Sequence, residues 1–194
     1  MSDSRAILCM LILMRLKTEL SPFDRLRLHK SALMLNVFSG RDCFDIEDET
    51  QEYYPIVDSL AADIKKLQTK HDTDTAATLQ SLLDNQDSRI IEAYRRSTPF
   101  VIQSASFVNS ITDCEVLLRV SAVCGILKHS GKVSVIDIEK YFREHNNSGI
   151  TFSPKDLITI LVNLEKSGMV VKDDNYYRLD DKLRDVDGYV RLLY

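Results

Sequence analysis

The residues with chemistry to offer are scattered along this chain. Cysteines stand at Cys9, Cys43, Cys114 and Cys124, and histidines at His29, His71, His129 and His145. No two cysteines form a CxxC pair, and no histidine follows them at metal-finger spacing. Cys9, Cys114 and Cys124 lie in apolar helical contexts, which predicts buried free thiols in a reducing cytoplasm. Asp45, Glu47, Asp48 and Glu49 offer carboxylates for a hard cation, but neither an EF-hand spacing nor the glycine its turn requires accompanies them. His129-Ser130-Gly131-Lys132 echoes part of a phosphate loop without its GxxxxGK[ST] spacing, and reads better as a helix stop. Nucleophile, base and orienting group are nowhere assembled by a local motif. The expectation is a non-enzymatic protein with no cofactor and no metal.

A different chemistry is spaced more coherently. Lys155, Thr159, Asn163 and Lys166 recur at i, i+4, i+8 and i+11, so they share one helix face. Lys172 and Arg178 follow on a short hairpin. Lysine and asparagine can contact base edges, and hairpin cations can meet phosphates, so these six residues are candidates for nucleic-acid or partner contact. Asp156 and Glu165 sit beside the stripe, and Asp173 and Asp174 occupy the hairpin tip. The helix has no arginine for a bidentate base contact. The whole chain of 194 residues carries a net charge of −4. Residues 1–40 are basic, six Lys/Arg against three Asp/Glu, whereas residues 41–74 carry four against ten. An acidic chain is not a typical free-standing DNA reader, which normally shows a basic face. The balance points to a protein partner, with nucleic-acid contact weak or shared.

The elements that must hold these residues are mainly helical. At 44% hydrophobic and 28% charged, with 6 glycines and 4 prolines, the chain has enough apolar material for a core and few loop-forming residues. Ser21-Pro22, with Asp24 in the first turn, starts a helix that places Phe23, Leu26, Leu33 and Val37 on one face and Lys30 at its edge; Gly40 closes it. An acidic connector, CFDIEDETQEYY, leads to helices from Pro55 and from about Thr75, the latter ending near Arg95-Arg96 and Pro99. The serine-interrupted stretch from Ser97 to Asp113 reads as a connector that packs on the core, with room for a short helix. This makes residues 1–110 an N-terminal helical region. Ala6–Met14 is the most apolar stretch but far short of the ~20 residues of a bilayer span. Its Ile7, Leu8, Leu11 and Ile12 could dock on a partner or close the core.

Residues 111–194 read as a winged-helix domain with a C-terminal tail. A helix capped by Thr112 or Asp113 carries Val116, Leu117, Val120, Val123, Cys124 and Leu127 inward and stops at Gly131. An extended KVSV precedes a second helix from about Ile136 to His145, with Ile136, Ile138, Tyr141 and Phe142 inward. Ser153-Pro154 starts a third helix that buries Leu157, Leu161 and Leu164, widened by Ile158 and Val162, and Ser167-Gly168 ends it. Two strands around Asp173-Asp174-Asn175 follow. The apolar tail offers Tyr189, Val190, Leu192, Leu193 and Tyr194 to a partner or to its own core.

The phrase LVNLEKSGMVVKDDNYYRL resembles the ends of many winged-helix domains, over roughly residues 112–181. That superfamily includes DNA readers, RNA binders and pure protein-interaction modules. The combination of RLKTELSPFDRLRLHKSALML with this ending is similar to the small middle component that stands beside an SMC-like ATPase and an effector in bacterial defence systems of the Lamassu or three-component type. This resemblance implies an accessory subunit bridging a coiled-coil ATPase to a nuclease-like effector. The alternative is a stand-alone transcriptional regulator reading DNA through Lys155, Thr159 and Asn163.

Overall fold

The computed structural model describes residues 22–44, 88–145 and 152–184, together with the helical positions Ile12 and Ala62. The helix expected from Pro55, residues 75–87 of the one expected from Thr75, the acidic residues 45–52, the turn at 146–151 and the tail beyond 184 lie outside the described residues, apart from Ala62. The protein is mainly α, with a three-stranded antiparallel sheet in its C-terminal part. Two compact units are formed, Met1–Leu35 with Tyr53–Ile111, and Asn36–Glu52 with Thr112–Tyr194.

In the first unit, helix α1 (Pro22–Ser39) enters at Pro22, whose missing N–H costs nothing at a first helical position. Residues 28–38 are buried all round rather than on one stripe. Lys30, expected at the edge, is instead fully buried (0% exposed), as is its neighbour His29 at 1%. A helix enclosed on every side has no edge from which a lysine stem can reach water.

Helix α2 (Ser88–Ser110) runs straight through Pro99, where a stop was expected. An internal proline costs ~3 kcal/mol or more through its lost hydrogen bond and ring clash. Val101, Ser104, Ala105 and Val108, at i, i+3, i+4 and i+7, are all buried and offset that cost. Ser104 had hidden this period; its hydroxyl donates to the carbonyl of Phe100 at 2.6 Å and so enters the core satisfied. Arg27 from α1 caps the end of α2, donating to Asn109 Oδ1 at 3.3 Å and to the Ile111 carbonyl at 3.2 Å.

The second unit begins with the last turn of α1. There buried Asn36 donates to the Phe44 carbonyl at 2.7 Å and accepts from its N–H at 3.0 Å, pinning the residues after Gly40. Phe44 is thereby buried at the head of the acidic connector.

Helix α3 (Cys114–Ser130) starts at Asp113, whose carboxylate accepts from the N–H groups of Glu115 and Val116 at 2.8 and 3.0 Å. Gly131, at φ +76°, donates to the Leu127 carbonyl and ends it. Residues 121–127 are buried without interruption, so α3 is the central helix of its unit. Val116, expected inward, lies in the first turn and is exposed. Cys114, at the helix start, is exposed too, whereas Cys124 is buried; Cys43, Cys114 and Cys124 are all free thiols.

Strand β1 (Lys132–Ser134) passes directly into helix α4 (Val135–His145). Ser134 and Asp137 form a reciprocal cap: Ser134 N–H and Oγ donate to the Asp137 carboxylate, and Asp137 N–H donates back to Oγ at 3.2 Å. Ile138 and Phe142 face the core. Ile136, expected beside them, is 74% exposed because two residues of helix rotate it by ~200° away from Ile138.

Helix α5 (Pro154–Lys166) starts at the expected Ser153-Pro154, and Ser153 and Asp156 form the same reciprocal cap. Leu157, Leu161 and Leu164 are buried. Its end is a Schellman arrangement: Met169 N–H donates to the Leu164 carbonyl and Gly168 N–H to that of Glu165, with Gly168 at φ +74°.

Strands β2 (Val170–Asp173) and β3 (Tyr176–Leu179) then pair across the Asp174-Asn175 turn, where Asp174 takes φ +54°. Strand β1 joins the other side of β3, with Val133 opposite Tyr177. The sheet order is β1-β3-β2. Strand β3 packs on α3 and β2 on α5, while α4 packs on α5. Helix, strand, helix, helix and hairpin thus complete a winged-helix arrangement, closed by a short 3-10 turn at Asp181–Arg184 in which Leu183 is buried.

Candidate functional site

The third helix of the arrangement, α5, owes its orientation to the three buried leucines, each worth ~1.5–3 kcal/mol of burial. Their stripe at i, i+4 and i+7 turns the opposite face outward. Lys155, Thr159, Asn163 and Lys166 are all exposed on that face, as their spacing predicts. Two details alter its chemistry. The Thr159 hydroxyl donates to the Lys155 carbonyl at 2.8 Å, so its proton is committed to backbone. Ile158, expected to widen the buried stripe, sits ~100° from Leu157 and is 47% exposed.

Asp156 stands at the edge of the stripe as a firmly ionised carboxylate whose hydrogen bonds are taken up by the helix cap. Hydrogen bonds from the Ser153 side chain and backbone, assisted by Arg119 and Lys155, hold its carboxyl below the usual carboxylate range. Arg119 lies 4.0 Å from it and sits over the Phe152 ring. Among the described residues neither Lys155 nor Lys166 forms an ion pair; Glu165 is exposed beside Lys166.

The wing treats its cations differently. The register puts Lys132, Arg178 and Val171 side by side, then Ser134, Tyr176 and Asp173, so these six occupy one face of the sheet. Lys132 donates across β3 to Asp173 at 2.6 Å, and its ammonium also lies 5.3 Å from the centre of the Tyr176 ring. That hydrogen bond and charge hold the Asp173 carboxyl below its ordinary value. Arg178, half-buried, donates to Asp181 at 2.8 Å. Both cations on this face are therefore matched by nearby carboxylates, Asp173 in the wing and Asp181 in the turn that follows it. Lys172, on the other face, is exposed, 5.8 Å from the Tyr177 ring centre. Sequence reasoning placed Arg178 among the contact residues but missed Lys132, whose pairing with Asp173 spans 41 positions.

Of the residues expected to dock on a partner, Ile12 is fully buried, which puts it inside this chain rather than on an open surface. Ile7, Leu8, Leu11, Tyr189, Leu192, Leu193 and Tyr194 lie outside the described residues. His129 and His145 are exposed, His145 stacking on Tyr141 at 4.4 Å. No three of the described His, Cys, Asp and Glu residues are grouped to hold a metal ion, and no described helix is long and apolar enough to cross a membrane. No protein family, curated protein or solved structure matches this chain.

Proposed function

We propose that this chain is a non-enzymatic accessory subunit of a larger protein assembly in the cytoplasm, with its winged helix serving as a protein-docking module. The resemblance drawn from the sequence makes the partners a coiled-coil, SMC-like ATPase and an effector, which the subunit bridges in a DNA-targeting defence system. No cofactor or metal enters this reading. The observation that carries it is the internal pairing of the wing: Lys132 with Asp173 and Arg178 with Asp181. A wing that clamps phosphates needs its cations available, and here two of the three, Lys132 and Arg178, answer to carboxylates a few ångströms away, leaving Lys172 alone.

The second reading, a stand-alone regulator that reads DNA through Lys155, Thr159 and Asn163, is favoured by the two unpaired lysines of α5. Affinity purification of the tagged full-length chain from nuclease-treated extract, washed at about 0.5 M salt to remove phosphate-driven contacts, separates the two. A stoichiometric large ATPase subunit is the expected companion. Recovery of the chain alone, with a discrete DNA fragment protected in a parallel untreated sample, overturns the subunit reading.

A further inference from the structure

The outward face of α5 has a pattern of its own. Ile158 and Val162 stand four residues apart, hence on one line of the helix, with Ile158 exposed and Val162 half-buried. Lys155 lies one turn before this pair and Lys166 one turn after it, a span of ~16 Å along the axis. An apolar pair bracketed by two exposed lysines that form no ion pair among the described residues has the pattern of one side of a helix–helix seam. The single carboxylate on this flank is the exposed Glu165.

Nucleic acid suits this face poorly. A large aliphatic side chain stands between the two cations, and the Thr159 proton is already donated to Lys155. Resting on the reading of the chain as a docking subunit, the geometry points to an acidic amphipathic helix of a partner protein as the occupant of this face. That helix lays two apolar residues, spaced four apart, against Ile158 and Val162. It places Asp or Glu one turn outside each, opposite Lys155 and Lys166. Burial of the apolar pair supplies affinity, and the bracketing charges set register and exclude basic helices.

The test uses the full-length chain in its native cell, with a photocrosslinking amino acid replacing Ile158 in one sample and Ile136 in another. Ile136 is the more exposed of the two and lies on α4. The expected result is a crosslink from position 158 into a protein segment with an apolar pair four residues apart, flanked by carboxylates. Its yield drops about tenfold or more in the Lys155→Glu, Lys166→Glu background, where like charges now oppose. Circular dichroism of that variant stays native because both positions are exposed. A crosslink to nucleic acid, a basic or purely polar target segment, or a yield indifferent to the charge reversal overturns the proposal. Protein crosslinks from position 136 with none from 158 overturn this face alone and leave the subunit reading standing. Silence at both positions, with the chain purifying by itself, removes both.

Discussion

Neutralising Asp173 and Asp181 by substitution to Asn exposes how the wing handles charge. Both carboxylates are exposed, and Asn keeps their shape, so the fold persists while Lys132 and Arg178 lose their counter-charges. In the wild type, only Lys155, Lys166 and Lys172 on helix and wing are without ion pairs among the described residues. Binding to a ~20-bp duplex, followed by fluorescence anisotropy between ~50 and ~200 mM salt, then has a slope of log affinity against log salt no steeper than about −0.9 × 3, or −2.7. Two freed cations steepen it by about −1.8, to about −4.5. A wild-type slope already near the steeper value, or a double variant with an unchanged slope, refutes the claim that Lys132 and Arg178 are internally matched.

Other outcomes follow from burial and capping. Buried His29 is kept neutral by desolvation, aided by the adjacent Lys30 charge, with its pKa well below the ordinary value of ~6.5. Below about pH 6.5 the unfolded chain takes up a proton that the folded imidazole refuses, so stability falls by up to ~1.4 kcal/mol per pH unit on acidification and is level above that point. Urea unfolding between pH 5 and pH 8 reads this, and His29→Leu must flatten the dependence; an equal slope in that variant contradicts it. Ser153→Ala, which removes the α5 cap, costs about 1 kcal/mol in the same assay, whereas no loss means the cap is dispensable. Leu161→Ala costs ~2–5 kcal/mol while Ile158→Asp stays within ~0.5 kcal/mol; comparable losses would show Ile158 to be core. Brief alkylation followed by peptide mapping modifies exposed Cys114 before Cys124, whose thiol burial pushes up to about 12. Equal labelling in the native protein overturns that ordering.

What was legible in the chain was local. Ser153, Pro154 and Asp156 start α5 within four residues, Gly168 ends it, and Asp174-Asn175 turns the hairpin, so each element announces itself through its nearest neighbours. The outward placement of Lys155, Thr159, Asn163 and Lys166 followed from period alone. Misreadings arose where tertiary context overrides local preference. Pro99 looks like a stop until Ser104 is seen to enter the core with its hydroxyl satisfied by Phe100. Helices enclosed on all sides, such as α1 around Lys30, have no polar stripe to reveal their orientation. Ile136 and Ile158 read as inward by residue type, although their angular positions put them outside. The pairings of Lys132 with Asp173 and Arg27 with Asn109 depend on segments far apart in sequence, which no local pattern encodes.

Native mass spectrometry of the full-length chain recovered from nuclease-treated extract tests the docking account most directly. The account predicts a complex exceeding the 22.2 kDa of the chain by at least one large protein subunit, and loss of that complex in the folded Lys155→Glu, Ile158→Asp, Lys166→Glu variant. A 22.2 kDa species alone contradicts the subunit reading, and a protein complex that survives the triple change intact contradicts docking through the α5 face.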